Sequence, residues 1–389
     1  MRIKVINNIA REGLEYFNDN YQLAAEIDNP HAIMVRSSQV DVDDYPSLLA
    51  IARAGAGVNN INIERATEKG ICVFNSPGAN ANAVAELVLV MAGIGARNIV
   101  PGLDFCRSLA GHPQQERGTM VEEAKAQFRG MELAGKTLGV LGLGQIGVRV
   151  ANRGIGQKMR VVGFDPQPAL ENIHALLPEV DLARSCSQVV RQANILSVHV
   201  PLTAKTAGLV DHDLLAQLPS GAMLLNYSRQ EVVDEEAVRQ ALDTGRLALY
   251  ICDFPASELL THPQVIATPH IGAATGESEE QCAIMAAREL LAYLEYGTVV
   301  RSVNFPTVES IPDDQVVTRL LLINRDRPGM IGFVSQLLGE EGINISSYVN
   351  ESNGRVGYNI IDLGSPLPPS LLPALNDHPD VIRTRVITF

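Results

Sequence analysis

The run Thr137-Leu138-Gly139-Val140-Leu141 leads directly into Gly142-Leu143-Gly144-Gln145-Ile146-Gly147, and a second apolar run, Val161-Val162-Gly163-Phe164, ends in Asp165. No other part of the chain constrains its fold as much. A strand that ends in closely spaced glycines lets the main chain turn sharply and approach a pyrophosphate, and the helix that follows offers unpaired N–H groups and the positive end of its dipole. Asp165 lies 23 positions after Gly142, where a carboxylate accepts from ribose hydroxyls and repels a 2′-phosphate. Glycine clusters also mark ordinary turns; here strand, glycines, helix and acidic strand end occur together. They predict a parallel α/β domain built around NAD rather than NADP.

A chain of 389 residues has room for two or three domains, and 46% hydrophobic with 19% charged residues describes a well-packed globular protein. The formal charge of −13 argues against binding nucleic acid or an anionic membrane through bulk electrostatics. Five cysteines, at 72, 106, 186, 252 and 282, give neither a disulfide framework nor a metal-ligand spacing, and no metal is expected. With no apolar stretch of about 18 residues and no cleavable leader, the expected compartment is the cytoplasm.

Short apolar runs at Ile3–Ile6, Ala32–Val35, Leu49–Ala52 and Ile71–Phe74 predict a small parallel α/β domain. A helical stretch from Asn82 to Arg97 leads into six strand candidates: Thr137–Leu141, Val161–Phe164, Ile195–Val200, Ala222–Asn226, Ala248–Cys252 and Val265–Ala267. That series predicts a doubly wound nucleotide domain. The amphipathic stretch Glu279–Tyr296 and the segment Ser302–Pro306 read as a return to the first domain, which makes that domain discontinuous. Residues 307–315 read as a linker, and the remainder as βαββαβ.

Nicotinamide chemistry requires an anchor for the substrate, a group that exchanges a proton and a group that tunes it. Arg229, Glu258 and His270 each follow a predicted strand at the carboxyl edge, where open α/β sheets bind ligands. An arginine fork matches a carboxylate and the oxygen beside it, and a histidine titrates near neutrality with a basicity that a nearby carboxylate raises.

Together the glycine motif with Asp165, the segment Asn226-Tyr227-Ser228-Arg229, Asp253 with Glu258 five positions later, and Pro269-His270-Ile271-Gly272-Ala273 resemble the D-isomer-specific 2-hydroxyacid dehydrogenases over roughly residues 1–306. The resemblance implies that Arg229 binds the substrate carboxylate and carbonyl, that His270 exchanges the proton, and that Glu258 hydrogen-bonds His270. It further implies cofactor contacts from Gln145, Ile146, Tyr227, Ser228, Asp253, Ile271, Gly272 and Ala273. The implied fold is a Rossmann-type doubly wound nucleotide domain (96–276) inserted in a flavodoxin-like substrate domain (1–95 and 277–306), followed by an ACT-like unit (316–389). Two positions depart from the family pattern: Gln230 stands where glycine is common, and Asp253-Phe254-Pro255 replaces Asp-Val-Phe.

Arg36, Arg53, the loop Gly55-Ala56-Gly57-Val58 and Asn80 follow short strands of the first domain, where backbone N–H groups and arginines suit a carboxylate and a phosphate. These segments resemble the phosphoglycerate dehydrogenase branch, which implies oxidation of 3-phospho-D-glycerate at the first step of serine formation. The stretch Asn324-Arg325-Asp326-Arg327-Pro328-Gly329 resembles the first loop of an ACT domain, with Asn324, Asp326 and Asn344 as candidate effector contacts. Asn324 and Asp326 differ from the serine-responsive pattern, whereas Asn344 keeps it. Pairing of sheet edges into a homodimer or homotetramer is implied. A chain ending after Phe305 keeps every candidate catalytic residue and is expected to stay active. The open alternatives are a hydroxypyruvate, glyoxylate or 2-oxoglutarate reductase, and a nucleotide-sensing corepressor.

Overall fold

A computed structural model describes residues 1–254 and 258–389; Pro255, of the departing Asp253-Phe254-Pro255 segment, lies outside the described residues. The chain divides into two compact units, residues 1–80 with 276–389, and residues 81–275.

The second unit holds seven parallel strands: β6 (Thr137–Leu141), β7 (Arg160–Phe164), β8 (Asp181–Leu182), β9 (Ile195–Val198), β10 (Ala222–Asn226), β11 (Leu247–Cys252) and β12 (Val265–Ala267). Their order is β12-β11-β10-β9-β6-β7-β8, so the winding reverses between β6 and β9, the crevice where doubly wound sheets take nucleotides. The additional strand, β8, is two exposed residues at the sheet edge, too short to leave an apolar signal. The helix Ala81–Ala96 counts with this unit rather than the first, which moves the boundary from 95 to 80. Its Val84, Ala85, Val88, Met91 and Ala92 share a core with Val140, Leu225 and Ile251. Gly95 permits the contact, since a Cβ there would lie 2.5 Å from Leu249. The helices Ile99–Ser108 and Gln114–Ala124 follow and bury no residue, leaving Ile99, Val100, Leu103 and Val121 exposed.

In the first unit, β1 (Arg2–Ile6), β2 (Gln22–Ala24), β3 (Ala32–Val35), β4 (Ala50–Arg53) and β5 (Cys72–Phe74) form a parallel sheet of flavodoxin-like order β2-β1-β3-β4-β5. The helix Gly276–Tyr296 lies on one face and buries Ala283, Ala286, Ala287 and Leu290. Four antiparallel strands follow in the order β14-β15-β13-β16: β13 (Thr318–Arg325), β14 (Ile345–Ser352), β15 (Val356–Leu363) and β16 (Val381–Thr388). With the helices Met330–Glu340 and Leu371–Asn376 they make the ACT-like βαββαβ fold.

Both faces of this C-terminal sheet are covered within the chain. Leu320, Leu322, Ile361 and Leu363 pack under its own helices. Leu321, Ile323, Tyr358 and Ile360 enter the core that also holds Phe74, Leu290 and Tyr293. The last carbonyls of a helix lack intrahelical partners. Here C-terminal side chains supply them: Arg385 donates to the Tyr293 and Leu294 carbonyls, Arg319 to Tyr296 (2.7 Å), and Tyr358 to the following Gly297 (2.6 Å). Arg319 is 0% exposed and uses every guanidinium N–H. It forms a bidentate pair with Asp362 (2.6 and 2.8 Å), and its remaining donors reach Tyr296 O, Ser310 O and Ser310 Oγ.

The stretch read as a linker is correspondingly pinned, with Val308 bridged to Val299 and Ser310 held by Arg319. A chain cut after Phe305 would lose the cap of the helix and open the core beneath it, so it is expected to be less stable than the whole chain. Removing one partner of a buried ion pair leaves an uncompensated charge, so Asp362→Ala is expected to destabilise the first unit by about 3–5 kcal/mol. Urea unfolding followed by circular dichroism checks this; a loss below about 1 kcal/mol, the range of exposed pairs, would contradict the structural role.

Candidate active site

At the nucleotide crevice each glycine of the motif has a different task. Gly142 takes φ +90°, and a Cβ there would meet His199 O at 2.6 Å; at Gly147 a Cβ would lie 1.9 Å from Gly142 O. Gly144, just before the helix Gln145–Gly156, opens onto free space, with no atom within 4 Å of such a Cβ. Backbone approach by a pyrophosphate needs that opening. Asp165 is fixed from two sides, accepting from Leu143 N and Gln167 N at 2.9 Å each. A carboxylate has about four acceptor sites, so capacity remains for ribose hydroxyls. Gln145 is exposed and bonded to Asn172 (2.7 Å), whereas Ile146 is half-buried.

One layer beyond the strands, the register places Asp253, Tyr227, His199, Gly142 and Asp165 in a single row across the sheet. Two buried polar atoms in it, His199 Nδ1 and Tyr227 Oη, have no hydrogen-bond partner among the described residues. Burial pushes His199 down to about 3 and the Tyr227 phenol upward, so both are neutral near pH 7. A row of this kind fits a polar ligand such as NAD.

Asp253 is 4% exposed and uses both oxygens on the loop that carries His270. Oδ1 accepts from Thr268 Oγ1 (2.5 Å) and Ile271 N (2.9 Å), and Oδ2 from Gly272 N (2.7 Å). The loop so held keeps His270 at φ +55°, a conformation rare for a residue with a side chain, with its ring edge-on to Phe254 at 5.9 Å. Gly272 lies close against the carboxylate, where a Cβ would come 3.0 Å from Asp253 Oδ2. Ile271 is exposed and Ala273 half-buried.

Arg229 and His270 each lie three residues past a strand end, on β10 and β12, to either side of β11. The buried Asn226 fixes the arginine loop by donating to Arg229 O (2.9 Å) and accepting from Ser228 N (3.1 Å), and Ser228 Oγ donates to Val200 O. Arg229 itself is exposed and bonds Ser228 O (2.7 Å). Glu258 opens a short 3-10 turn and is exposed; among the described residues no hydrogen bond joins it to His270.

In the first unit, four loops at the carboxyl edge interlock. Asn7 Oδ1 gathers the N–H groups of Arg36, Ser37 and Ser38 (3.4, 3.0 and 3.0 Å). Arg53 donates to Arg36 O (2.9 Å) and to Gly57 O, and the fully buried Ser76 reaches Arg53 O (3.2 Å) and Cys282 O (2.8 Å). Gly55 lies under this guanidinium, where a Cβ would come within 3.0 Å of it. The N–H groups of Ala56, Gly57 and Val58 donate to no acceptor among the described residues, whereas Arg36 is ion-paired to Glu279 at 2.6 Å. Asn80 is half-buried just ahead of the helix Ala81–Ala96.

The candidate effector residues are separate in character. Asn324 is buried, with its amide committed to Asn359 and Arg325 O; Asp326 accepts from Ser352 Oγ (2.6 Å); Asn344 is exposed. Sequence reading missed Asn7, His199, Asn226, Thr268 and Glu279. The polar ends of buried runs, such as Leu224-Leu225-Asn226, were the available signal for three of them.

A family model described as the D-isomer specific 2-hydroxyacid dehydrogenase NAD-binding domain matches residues 102–272. Over 384 residues, 95% of this chain and 89% of the relative, the sequence is 30% identical to a D-3-phosphoglycerate dehydrogenase of Haemophilus influenzae. The chain belongs to the D-isomer specific 2-hydroxyacid dehydrogenases. A D-3-phosphoglycerate dehydrogenase of Escherichia coli K12 is 29% identical over 391 residues, 95% of this chain and 90% of its own. Among solved structures, the NAD+-bound 3-phosphoglycerate dehydrogenase of Entamoeba histolytica superposes with a TM-score of 0.60 at 28% identity, covering 78% of this chain and 98% of that one. This family member is an NAD-dependent oxidoreductase acting on a small molecule.

Asp165→Ala removes a ribose acceptor and a repulsive charge, so the preference for NAD over NADP should fall at least about tenfold, the worth of a hydrogen bond to a charged group. Steady-state kinetics with both cofactors checks it; an unmoved ratio would remove Asp165 from ribose recognition. Asp253→Ala should lower kcat about 10²-fold through misplacement of His270, with a smaller change in the NAD dissociation constant measured by fluorescence quenching. Unchanged kcat would show that the loop holds His270 without the carboxylate.

Proposed function

We propose that the enzyme oxidises 3-phospho-D-glycerate to 3-phosphooxypyruvate, the entry to serine formation. The observation that carries this reading is the set of unpartnered N–H groups at Ala56–Val58 beside Arg36 and Arg53, a cluster of donors suited to an anionic substrate. The names and full-length match of the relatives support it.

Gly142, Gly144, Gly147 and Asp165 would hold NAD, which when bound would supply the acceptor for the hydride of C2. Arg229 binds the carboxylate and steadies the carbonyl as it develops, which its fork of donors suits. A ring nitrogen of His270 takes the proton of the 2-hydroxyl, and Asp253 keeps the imidazole in place through the loop. Glu258 is exposed on the turn after β11, and its role is to approach His270 with substrate present and stabilise the imidazolium. Catalytic hydrogen bonds often tighten only in the substrate complex. β14 pairs on one side only among the described strands, which supports its use as a seam between copies in a homodimer or homotetramer.

A second reading, reduction of glyoxylate or hydroxypyruvate, is favoured by one observation: Glu279 neutralises Arg36 and so reduces the pull on a phosphate. Purified enzyme tested for NADH formation or consumption with phosphoglycerate, glycerate, glyoxylate, hydroxypyruvate and 2-oxoglutarate separates the two. Phosphoglycerate should give the highest kcat/KM, and His270→Ala should reduce its kcat by ~10²–10⁴-fold without loss of NAD binding. A higher kcat/KM for an unphosphorylated acid would reverse the assignment.

A further inference from the structure

Both arginines at the edge of the first sheet are engaged, but in different ways. Arg53 is built into the scaffold: its guanidinium holds the carbonyls of Arg36 and Gly57, and Gly55 lies against it. Arg36 is held, among the described residues, by a single counter-ion. Its Nη2 meets Glu279 Oε1 at 2.6 Å, with the side chains 40% and 36% exposed, so both ends of the pair remain open to solvent. Glu279 stands in the first turn of the 21-residue helix Gly276–Tyr296, whose dipole favours a negative charge there. The helix is fixed beside these loops by Ser76 Oγ, which bonds Cys282 O at 2.8 Å one turn further on.

We propose that Glu279 is a specificity-determining residue that competes with the distal anionic group of the substrate for Arg36. This rests on the reading that Arg36 meets that group. With Glu279 ionised, the pair is neutral, and a phosphate dianion reaching Arg36 must displace the carboxylate or share the guanidinium with it. The repulsion between phosphate and carboxylate grows with the charge of the distal group. An uncharged hydroxymethyl end meets no such opposition. Glu279 therefore narrows the advantage of phosphorylated over unphosphorylated hydroxy acids, and the two arginines alone overstate the charge that a substrate meets.

Glu279→Gln keeps the shape and an acceptor oxygen while removing the charge, and Glu279→Ala removes the acceptor as well. Each should lower KM for 3-phospho-D-glycerate by about tenfold, the equivalent of one screened charge interaction. The kcat should stay within about twofold and KM for D-glycerate should change little, since a residue acting on ground-state binding alone moves KM. Inorganic phosphate provides an independent probe: as a competitive inhibitor against whichever hydroxy acid the enzyme oxidises, it should bind more tightly to both variants by a similar factor. Unchanged phosphate inhibition in both variants, or a raised KM for phosphoglycerate, would overturn the competition. If the unaltered enzyme does not oxidise phosphoglycerate but phosphate inhibition tightens as expected, the competition for Arg36 stands and the assigned substrate falls.

Discussion

The carboxyl edge of the second unit's sheet depends on one buried carboxylate. Asp253 ends β11, and three donors from the neighbouring loop converge on its two oxygens. Burying a charge is costly unless it is hydrogen-bonded, and these contacts meet that condition while fixing the loop that carries His270. Gly272 is small because the carboxylate is close, and His270 adopts a positive φ because the residues after it are drawn to Asp253. The same layer of residues continues through Tyr227 and His199 to Gly142 and Asp165, so the glycine motif and the loop that carries His270 hang from one register of one sheet.

The first unit shows a comparable economy at the end of a helix. Arg319, Arg385 and Tyr358 from the C-terminal sheet take up the carbonyls at and just after the end of the helix Gly276–Tyr296. Cations there also complement the negative end of the helix dipole. A fold that elsewhere would be a separate module is thereby part of the first unit's core. Coupling between the two parts runs through packed side chains and a fully satisfied guanidinium rather than through a tether.

Local chemistry was legible from sequence, whereas partnership was not. The strands from β6 to β12 apart from β8, the glycine motif and Asp165 follow from apolar runs and from what a pyrophosphate requires of a backbone. The βαββαβ pattern was equally plain, because apolar runs such as Leu320–Ile323 and Val356–Leu363 are set apart from the helical stretches by turn residues such as Pro328-Gly329 and Gly354. The sheet's second covering was invisible: Leu321 and Leu322 look alike in sequence, yet one packs beneath the module's own helices and the other against the first sheet's core. Arg36 and Arg53 likewise read as two cations suited to a phosphate. Only the fold brings Glu279, 243 residues away in sequence, to within 2.6 Å of Arg36.

In the proposed reaction a hydride leaves C2 of the substrate while His270 takes the hydroxyl proton. D-3-phosphoglycerate carrying deuterium at C2 tests it most directly, with the label followed by NMR of the recovered nicotinamide and of the solvent. The deuterium should appear stoichiometrically on the reduced nicotinamide ring and none in water. Label released to solvent, or NADH formed without it, would contradict the account.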